Sequence, residues 1–234
     1  MRREEDPSSS GVQPPDQRIA PALPPNRPPA IEGGAMATDI NAIENNLGNF
    51  YDFHDKTVVH VGAGGGQFIG YSEIARSVLA IDIDEEATAH LEKQVNEYGL
   101  SHKFTIRVAD FVSVSAEADV VFFEFCLHEM SNPEQVLEHA QTLAPDIVII
   151  DHHPDSEWAW YVLEDEKARR SWSAARRCNV VRENSFDGRQ YFSNYSQLYD
   201  KVKVMGGDAI DRISNFIDRS DIYIPMKYAI ALIR

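Results

Sequence analysis

Hydrophobic and polar positions along residues 38–150 follow a pattern that switches repeatedly between strand and helix. Short apolar or β-branched runs, typical of buried parallel strands, alternate with segments whose apolar residues recur every three or four positions. Strands separated by helices form right-handed βαβ units, so we expect a parallel sheet covered by helices on both faces. The apolar runs predict five strands, at 57–61, 78–81, 104–108, 118–123 and 147–150.

Helix signals fill the gaps between these strands. One helix precedes the first strand, and another is expected to follow a glycine-rich turn and continue through Arg76. Asp84 is placed to cap a third helix, and Asn132 with Pro133 begins a fourth, as a capping residue followed by proline at the first helical position.

The two ends of the chain depart from this rhythm. Residues 1–36 hold eight of the twelve prolines and are expected to form a disordered tail or a leader ahead of one domain at 37–234. Residues 152–196 show no clear period and are expected to form an irregular insertion that contributes to the acceptor site. Residues 201–205 and 227–233 carry strand patterns, and we expect them to pair antiparallel at one edge of the sheet.

Composition excludes several classes of function. The chain has 37 acidic and 22 basic side chains, a net charge of −15, which argues against general nucleic-acid binding and against docking on an anionic membrane. No apolar run is long enough to span a bilayer, and the first residues lack the apolar core of a secretory signal. Two cysteines do not make a disulfide framework, so we expect a cytoplasmic protein.

The glycine-rich turn after the first strand predicts a site for a nucleotide-like ligand. Gly62, Gly64 and Gly66 alternate there, but the sixth position of a dinucleotide-binding fingerprint is Gln67 instead of glycine, so that fingerprint fails. Asp82 ends the second strand, 20 residues after Gly62, and is placed to accept hydrogen bonds from ribose hydroxyls.

Asp110, after the third strand, stands where a carboxylate can reach an adenine amino group. With these residues in register, the chain resembles the class I S-adenosylmethionine-dependent methyltransferases over about residues 40–234. The resemblance is carried by the segments 58–66, 80–84, 109–111, 118–123 and 127–130.

The resemblance implies a Rossmann-like α/β fold, with a doubly wound, mostly parallel seven-stranded sheet and an antiparallel last strand. It also implies an enzyme that uses S-adenosylmethionine to methylate a small molecule at oxygen or nitrogen. One departure is His60, because the family usually has an acid there, near the amino group of the cofactor. The residues implied to bind the cofactor are Gly62, Ala63, Gly64, Gly66, Asp82, Ile83, Asp110 and Phe111.

Reactive side chains follow the fourth and fifth strands, where the carboxyl ends of parallel strands bring ligand sites together. Methyl transfer to a hydroxyl or ammonium needs a base, and histidine has a suitable ordinary pKa of about 6.5. His128 is the first candidate for that base, with His152 and His153 as alternatives. The full set is Glu124, Cys126, His128, Glu129, Asp151, His152 and His153.

Other functions stay open at this point. Glu124, Asp151 and His152 could converge on a divalent cation, as in the catechol-type O-methyltransferases, but those have Asp-Asn after the fifth strand, so no metal ligand is assigned. A nicotinamide-dependent oxidoreductase is a second alternative, disfavoured by Gln67. A non-catalytic adaptor that retains the fold is a third, and His60 favours it.

A basic run reverses the charge of the chain locally. Between residues 167 and 182 there are six basic side chains and no acid. The run is interpreted either as a cap that offers arginine to an anionic acceptor or as a solvated helix face, and the second interpretation is favoured.

Overall fold

The structure, a computed structural model, describes residues 40–64, 66 and 68–234, so the proline-rich segment 1–36 lies outside the described residues. The strands are β1 (Thr57–Val61), β2 (Ser77–Asp82), β3 (Phe104–Val108), β4 (Val120–Glu124), β5 (Asp146–His152), β6 (Val180–Asn194) and β7 (Ser220–Ile233). The helices are α1 (Ile40–Phe50), α2 (Glu85–Glu97), α3 (Pro133–Leu143), α4 (Glu157–Tyr161), α5 (Asp165–Ala175), α6 (Tyr195–Val202) and α7 (Gly207–Arg212).

All seven strands form one sheet in the order β3-β2-β1-β4-β5-β7-β6. Strands β1 to β5 pair in parallel, whereas β7 runs antiparallel to both β5 and β6. The predicted Rossmann-like fold with an antiparallel last strand is confirmed. None of the described helices is long and apolar enough to cross a lipid bilayer.

The core lies on both faces of the sheet, and β4 runs through its middle. Successive β4 residues point to opposite faces, so Phe122 packs into one apolar cluster and Phe123 into the other. Every β4 residue is buried. This two-sided burial explains why the sequence of β4 is almost continuously apolar.

The expected helix after the glycine-rich turn is wrong. Among residues 62–64, 66 and 68–76, the regular element is one 3-10 turn, Gly70–Glu73. Phe68, Ile69 and Tyr71 are all buried in the same apolar cluster. The turn thus places three apolar side chains in the core without an α-helix.

The predictions for the C-terminal part need two corrections. Residues 201–205 are not a strand, because α6 extends to Val202 and a 3-10 turn follows. Residues 152–196 are not irregular, because they hold α4, α5 and β6. The antiparallel neighbours of β7 are β5 and β6, so β7 lies inside the sheet and β6 forms its edge. The β6 sequence is mostly polar and exposed, which hides the period expected of a strand.

Two caps form as predicted and fix the entries of the helices beside the site. The Asp84 side chain accepts hydrogen bonds from the backbone N–H groups of Glu86 and Ala87 at the start of α2. The Asn132 side chain accepts from Gln135 N, with Pro133 as the first residue of α3.

Candidate functional site

A cavity of about 610 Å³ lies beyond the carboxyl ends of β1, β2, β3 and β4. Of the residues implied to bind the cofactor, Gly62, Asp82, Ile83, Asp110 and Phe111 line it. The other three, Ala63, Gly64 and Gly66, are not among its described lining residues and shape the turn behind it. A cleft at this edge is where open α/β sheets bind their ligands.

Gly62 is the point where β1 meets the segment after β4. Its backbone has φ of +69°, and a Cβ atom built there would lie 2.4 Å from the Cβ atom of Cys126. Both the positive φ and the close approach require glycine. The missing side chain therefore lets two chain segments meet at the cavity wall.

Asp82 presents an oriented carboxylate at the mouth of the cavity. Its Oδ2 accepts a hydrogen bond from Gly64 N at 2.9 Å, and its Oδ1 accepts one from Asp84 N at 3.0 Å. Each carboxylate oxygen has a second lone pair. The side chain is therefore held in place while it keeps acceptor capacity for two hydroxyl groups.

Apolar side chains next to Asp82 and Asp110 supply a surface for a ring. Ile83 lines the cavity and is 76 % exposed, which is unusual for a large aliphatic side chain. Asp110 accepts a hydrogen bond from Val112 N and begins a 3-10 turn, Phe111–Ser113. Its carboxylate lies at the cavity edge beside this apolar surface, an arrangement that can hold a heteroaromatic ring by packing and by hydrogen bonding.

His60 does not line the cavity but lies beneath it, fully buried in β1. The Tyr71 hydroxyl lies 2.9 Å from Nδ1 of His60, and Oε2 of Glu124 lies 2.8 Å from Nε2. Burial lowers the pKa of His60 to about 3. Nδ1 of the neutral ring can accept a hydrogen bond from the Tyr71 hydroxyl, whereas Nε2 and Glu124 Oε2 are in close contact without hydrogen-bond geometry. His60 thus packs against Glu124, which lines the cavity.

His128 is positioned by Asp151 from the end of β5. The two residues approach within 2.6 Å between Nδ1 and Oδ1, and Asp151 Oδ2 accepts a hydrogen bond from His128 N at 3.0 Å. Asp151 Oδ1 also accepts from His152 N. Both side chains are buried, so this network fixes the orientation of the His128 ring.

Three more polar side chains surround the other edge of the His128 ring. Glu129 Oε1 lies 3.4 Å from Nε2 of His128, and Glu164 Oε2 lies 3.5 Å from it. Glu164 Oε2 is also 3.5 Å from Nε2 of His152. Sequence reasoning missed Glu164, which lies in the link between α4 and α5 and carried no periodic or motif signal.

The ionisation of this cluster follows from its contacts. Burial lowers the pKa of His128, but the charge of Asp151 and hydrogen bonding to Asp151, Glu129 and Glu164 outweigh it and raise the pKa to about 12. The pKa of Glu129 falls to about 2, chiefly through His128. The pKa of His152 is lowered by burial and by the neighbouring charge of His128.

The metal ligand set considered from the sequence is not brought together. Glu124 faces His60, Asp151 is occupied by His128 and two backbone N–H groups, and His152 faces Glu164. These three residues therefore do not share one point.

The basic run is largely paired with nearby acids, as expected of a solvated face. Arg176 bonds Glu183, and Arg177 bonds Glu134. Lys167 reaches the cavity mouth, where its Nζ lies 2.7 Å from Oε2 of Glu129. The run therefore offers few uncommitted cations to a ligand.

Comparison with known proteins fits this geometry. Residues 59–146 match a family model described as a methyltransferase domain. No curated protein sequence matches the chain. A structure from Bacillus halodurans C-125, assigned as a methyltransferase, has a TM-score of 0.60 at 13 % identity and covers 83 % of this chain and 97 % of its own.

Two other solved structures have the same fold. The [4+2]-cyclase SpnF has a TM-score of 0.57 at 15 % identity, covering 82 % of this chain and 80 % of its own. A Pyrococcus horikoshii protein assigned as an RNA methyltransferase has a TM-score of 0.52 at 14 % identity, covering 86 % and 90 %. At such identities the likeness shows the fold alone.

The domain matched over residues 59–146, the strand order and the cavity at the carboxyl ends of the strands support a class I S-adenosylmethionine-dependent methyltransferase. Such a domain implies an enzyme whose cofactor is S-adenosylmethionine.

Proposed function

We propose that this enzyme methylates an oxygen or nitrogen atom of a small molecule. The observation that carries the proposal is the acidic cavity, whose wall includes Asp82, Asp110, Glu124 and Glu129. Four carboxylates attract a cationic sulfonium, and they repel the phosphates of a nucleic acid. A small neutral or cationic acceptor suits this field best.

Each end of the cofactor has a candidate partner. Asp82 would accept hydrogen bonds from the ribose hydroxyls. Ile83 and Phe111 would pack against the adenine ring, and Asp110 would accept a hydrogen bond from the adenine amino group. Glu124 would take the ammonium group of the methionine portion, because it lines the cavity and is supported by His60. In this way the carboxylate that β1 lacks at His60 would be supplied by the neighbouring strand β4.

Removal of a proton from the acceptor would need a free base. His128 remains the predicted base, with His152 as the alternative. A His128 with a pKa of about 12 holds its proton at neutral pH, so the ring can accept another group's proton only after something displaces its own. Alignment of the acceptor with the sulfonium methyl would supply much of the remaining rate enhancement.

The test is cofactor binding followed by transfer. Isothermal titration should give saturable binding of S-adenosylmethionine to the full chain, and Asp82→Asn should weaken it at least ten-fold. Asp187→Asn, which changes a carboxylate on the edge strand β6, is the matched control and should bind like the parent. Equal affinity in the parent and Asp82→Asn would overturn the assignment of Asp82.

An assay that follows the labelled methyl group from S-adenosylmethionine into candidate acceptors identifies the acceptor class. We expect label in members of a panel of hydroxyl- and amine-bearing metabolites and none in total RNA. Label in RNA alone would overturn the small-molecule proposal while leaving the methyltransferase intact. Binding without transfer to any acceptor would favour the adaptor.

A nicotinamide-dependent oxidoreductase is disfavoured by the antiparallel end of the sheet, as expected from the sequence. Its usual sheet is wholly parallel, whereas β7 is antiparallel here. A fluorescence titration with a reduced nicotinamide cofactor should show no saturable binding.

We also expect the enzyme to act in the cytoplasm. Cys126 and Cys178 are both free thiols, as is usual in a reducing compartment. Fractionation of the native cell, followed by immunodetection, checks this expectation.

A further inference from the structure

Three buried side chains from different parts of the fold converge beside the cofactor cavity. They are His128 after β4, His152 at the end of β5, and Glu164 between α4 and α5. We propose that Nε2 of each histidine and a carboxylate oxygen of Glu164 bind a divalent transition-metal ion. This set shares only His152 with the set considered from the sequence.

The spacing of the ligand atoms supports the site. The three atoms lie within 4.8 Å of one another, and Glu164 Oε2 is 3.5 Å from each Nε2. These distances are at the long end for an N–H···O hydrogen bond, whose usual range ends at about 3.2 Å. Ligands held tetrahedrally at about 2.1 Å from zinc lie about 3.4 Å apart. The two separations from Glu164 Oε2 therefore match those between ligands of a shared cation.

Asp151 prepares His128 for this role. Its Oδ1 lies 2.6 Å from Nδ1 of His128, so a neutral ring donates from Nδ1 and turns the lone pair of Nε2 towards Glu164 and His152. Metal-bound imidazoles commonly donate their other N–H to a carboxylate in this way. His152 is less constrained, because its Nδ1 has no hydrogen-bond partner among the described residues.

The cluster also has an excess of acid. Asp151 and Glu164 contact the imidazoles and are 1 % and 7 % exposed, whereas the more exposed Glu129 is already paired with Lys167. Buried carboxylates need compensating positive charge. A divalent cation would supply it at the point where the ligand atoms already meet.

The ligand types select the metal. Two imidazoles and one carboxylate are typical of zinc, iron(II) and manganese(II), whereas calcium and magnesium prefer oxygen ligands throughout. Three protein ligands leave a fourth position open. Glu129, whose Oε1 is 3.4 Å from Nε2 of His128, also lines the cavity, so the cluster adjoins the cavity wall.

Metal binding itself does not depend on the proposed function. If the enzyme methylates a hydroxyl, the ion would lower the pKa of that hydroxyl and the transfer would need no histidine base, a consequence that does rest on the proposed function.

The experiment is a titration of the full chain, freed of metal by a chelator, with zinc chloride in the absence of cofactor. We expect one equivalent bound with micromolar or tighter affinity. Glu164→Gln, which keeps the shape of the side chain, and His152→Gln should each weaken binding at least ten-fold. His153→Gln is the matched control, because His153 faces Asp155 instead of the cluster, and it should bind zinc like the parent.

Cobalt(II) provides a second readout that does not need the variants. A tetrahedral site with imidazole ligands should give intense visible absorption, and zinc should abolish it by competition. Circular dichroism of each variant shows whether the fold is intact, and titration with S-adenosylmethionine shows whether cofactor binding is intact. A variant that passes both tests but binds zinc weakly has lost the metal site alone. Absence of a single saturable site in the parent, or equal zinc affinity in the parent and Glu164→Gln, would overturn the proposal. A failure to find methyl transfer would leave these results unchanged.

Discussion

Nε2 of His60 lies 2.8 Å from Oε2 of Glu124, and this contact links the middle of β1 to the carboxyl end of β4 beneath the cavity. Tyr71 bonds the opposite nitrogen of the same ring, so a buried chain of three side chains ends at the cavity wall. The arrangement gives Glu124 a fixed position near Gly62, and both residues line the cavity.

The Glu124→Gln substitution should weaken binding of S-adenosylmethionine about ten-fold or more, a loss of about 1.4 kcal/mol. The amide keeps the size and shape of the side chain but no longer attracts the cofactor's ammonium group. Calorimetry with 5′-methylthioadenosine is the internal control, because that compound lacks the amino-acid portion and should bind parent and variant equally. Equal loss for both compounds would show that Glu124 acts on the fold of the cavity instead.

His60 should make the folded state less stable at acid pH. Its pKa is lowered by burial to about 3 in the folded chain, against an ordinary value of about 6.5 in the unfolded chain. Between these values the unfolded chain binds the proton and the folded chain does not, so stability is fully present above pH 6.5 and falls with falling pH.

Between pH 7 and pH 5 this residue should lower the free energy of unfolding by about 2 kcal/mol. Urea denaturation of the parent and of His60→Gln at both pH values checks the effect. The variant should lose about 2 kcal/mol less than the parent over the interval, and identical pH dependence would contradict the assignment.

Gly62→Ala should destabilise the fold and abolish cofactor binding. The added Cβ meets Cys126 at 2.4 Å in addition to the cost of an alanine at φ of +69°. Gly99→Ala is the matched control, because Gly99 has φ of +71° and nothing within 4 Å of the added atom. We expect a loss of about 1 kcal/mol for the control and a clearly larger one for Gly62→Ala.

The double variant Gly62→Ala with Cys126→Gly isolates the collision. Removing Cβ and Sγ of Cys126 should restore part of the stability lost in Gly62→Ala, measured by urea denaturation. No recovery would indicate that backbone conformation alone requires the glycine.

Ile83→Thr should weaken S-adenosylmethionine binding without a loss of stability. The side chain is 76 % exposed, so the folded chain gains little from it until a ligand covers it. Replacing the ethyl group by a hydroxyl should weaken binding by about 1 kcal/mol, roughly five-fold in affinity. Val204→Thr, at a similarly exposed position on another surface, is the control and should change neither quantity.

The sequence alone was sufficient for the parallel half of the fold. Apolar β-branched runs separated by capped helices predict β1 to β5, because a strand buried on both faces must be apolar at nearly every position. The caps at Asp84 and Asn132 also follow from local chemistry, since a short polar side chain satisfies the backbone N–H groups at a helix start. The alternating glycines with Asp82 and Asp110 indicated the cavity, because they are close in sequence to the ends of predicted strands.

The antiparallel end of the sheet was decided by tertiary structure. Strand β6 is an edge strand with mostly exposed polar residues, so its pairing with β7 leaves little trace in its own sequence. The apolar run 201–205 follows the amphipathic helix α6 and continues as a 3-10 turn whose Val204 is exposed. Local propensity therefore favoured residues 201–205, instead of β6, as the strand that pairs with β7.

The spatial position of each reactive side chain could not be predicted from the sequence either. The histidines after β4 and β5 were visible as candidates, but only the folded chain sets His128 against Asp151 and brings Glu164 from the link between α4 and α5 within 3.5 Å of both His128 and His152. Contacts between residues far apart in the chain depend on how helices pack across strand ends, which no local pattern encodes. The sequence thus determined the parallel strands and the glycine-rich turn, whereas the tertiary structure decided the antiparallel end of the sheet and which acids and imidazoles meet.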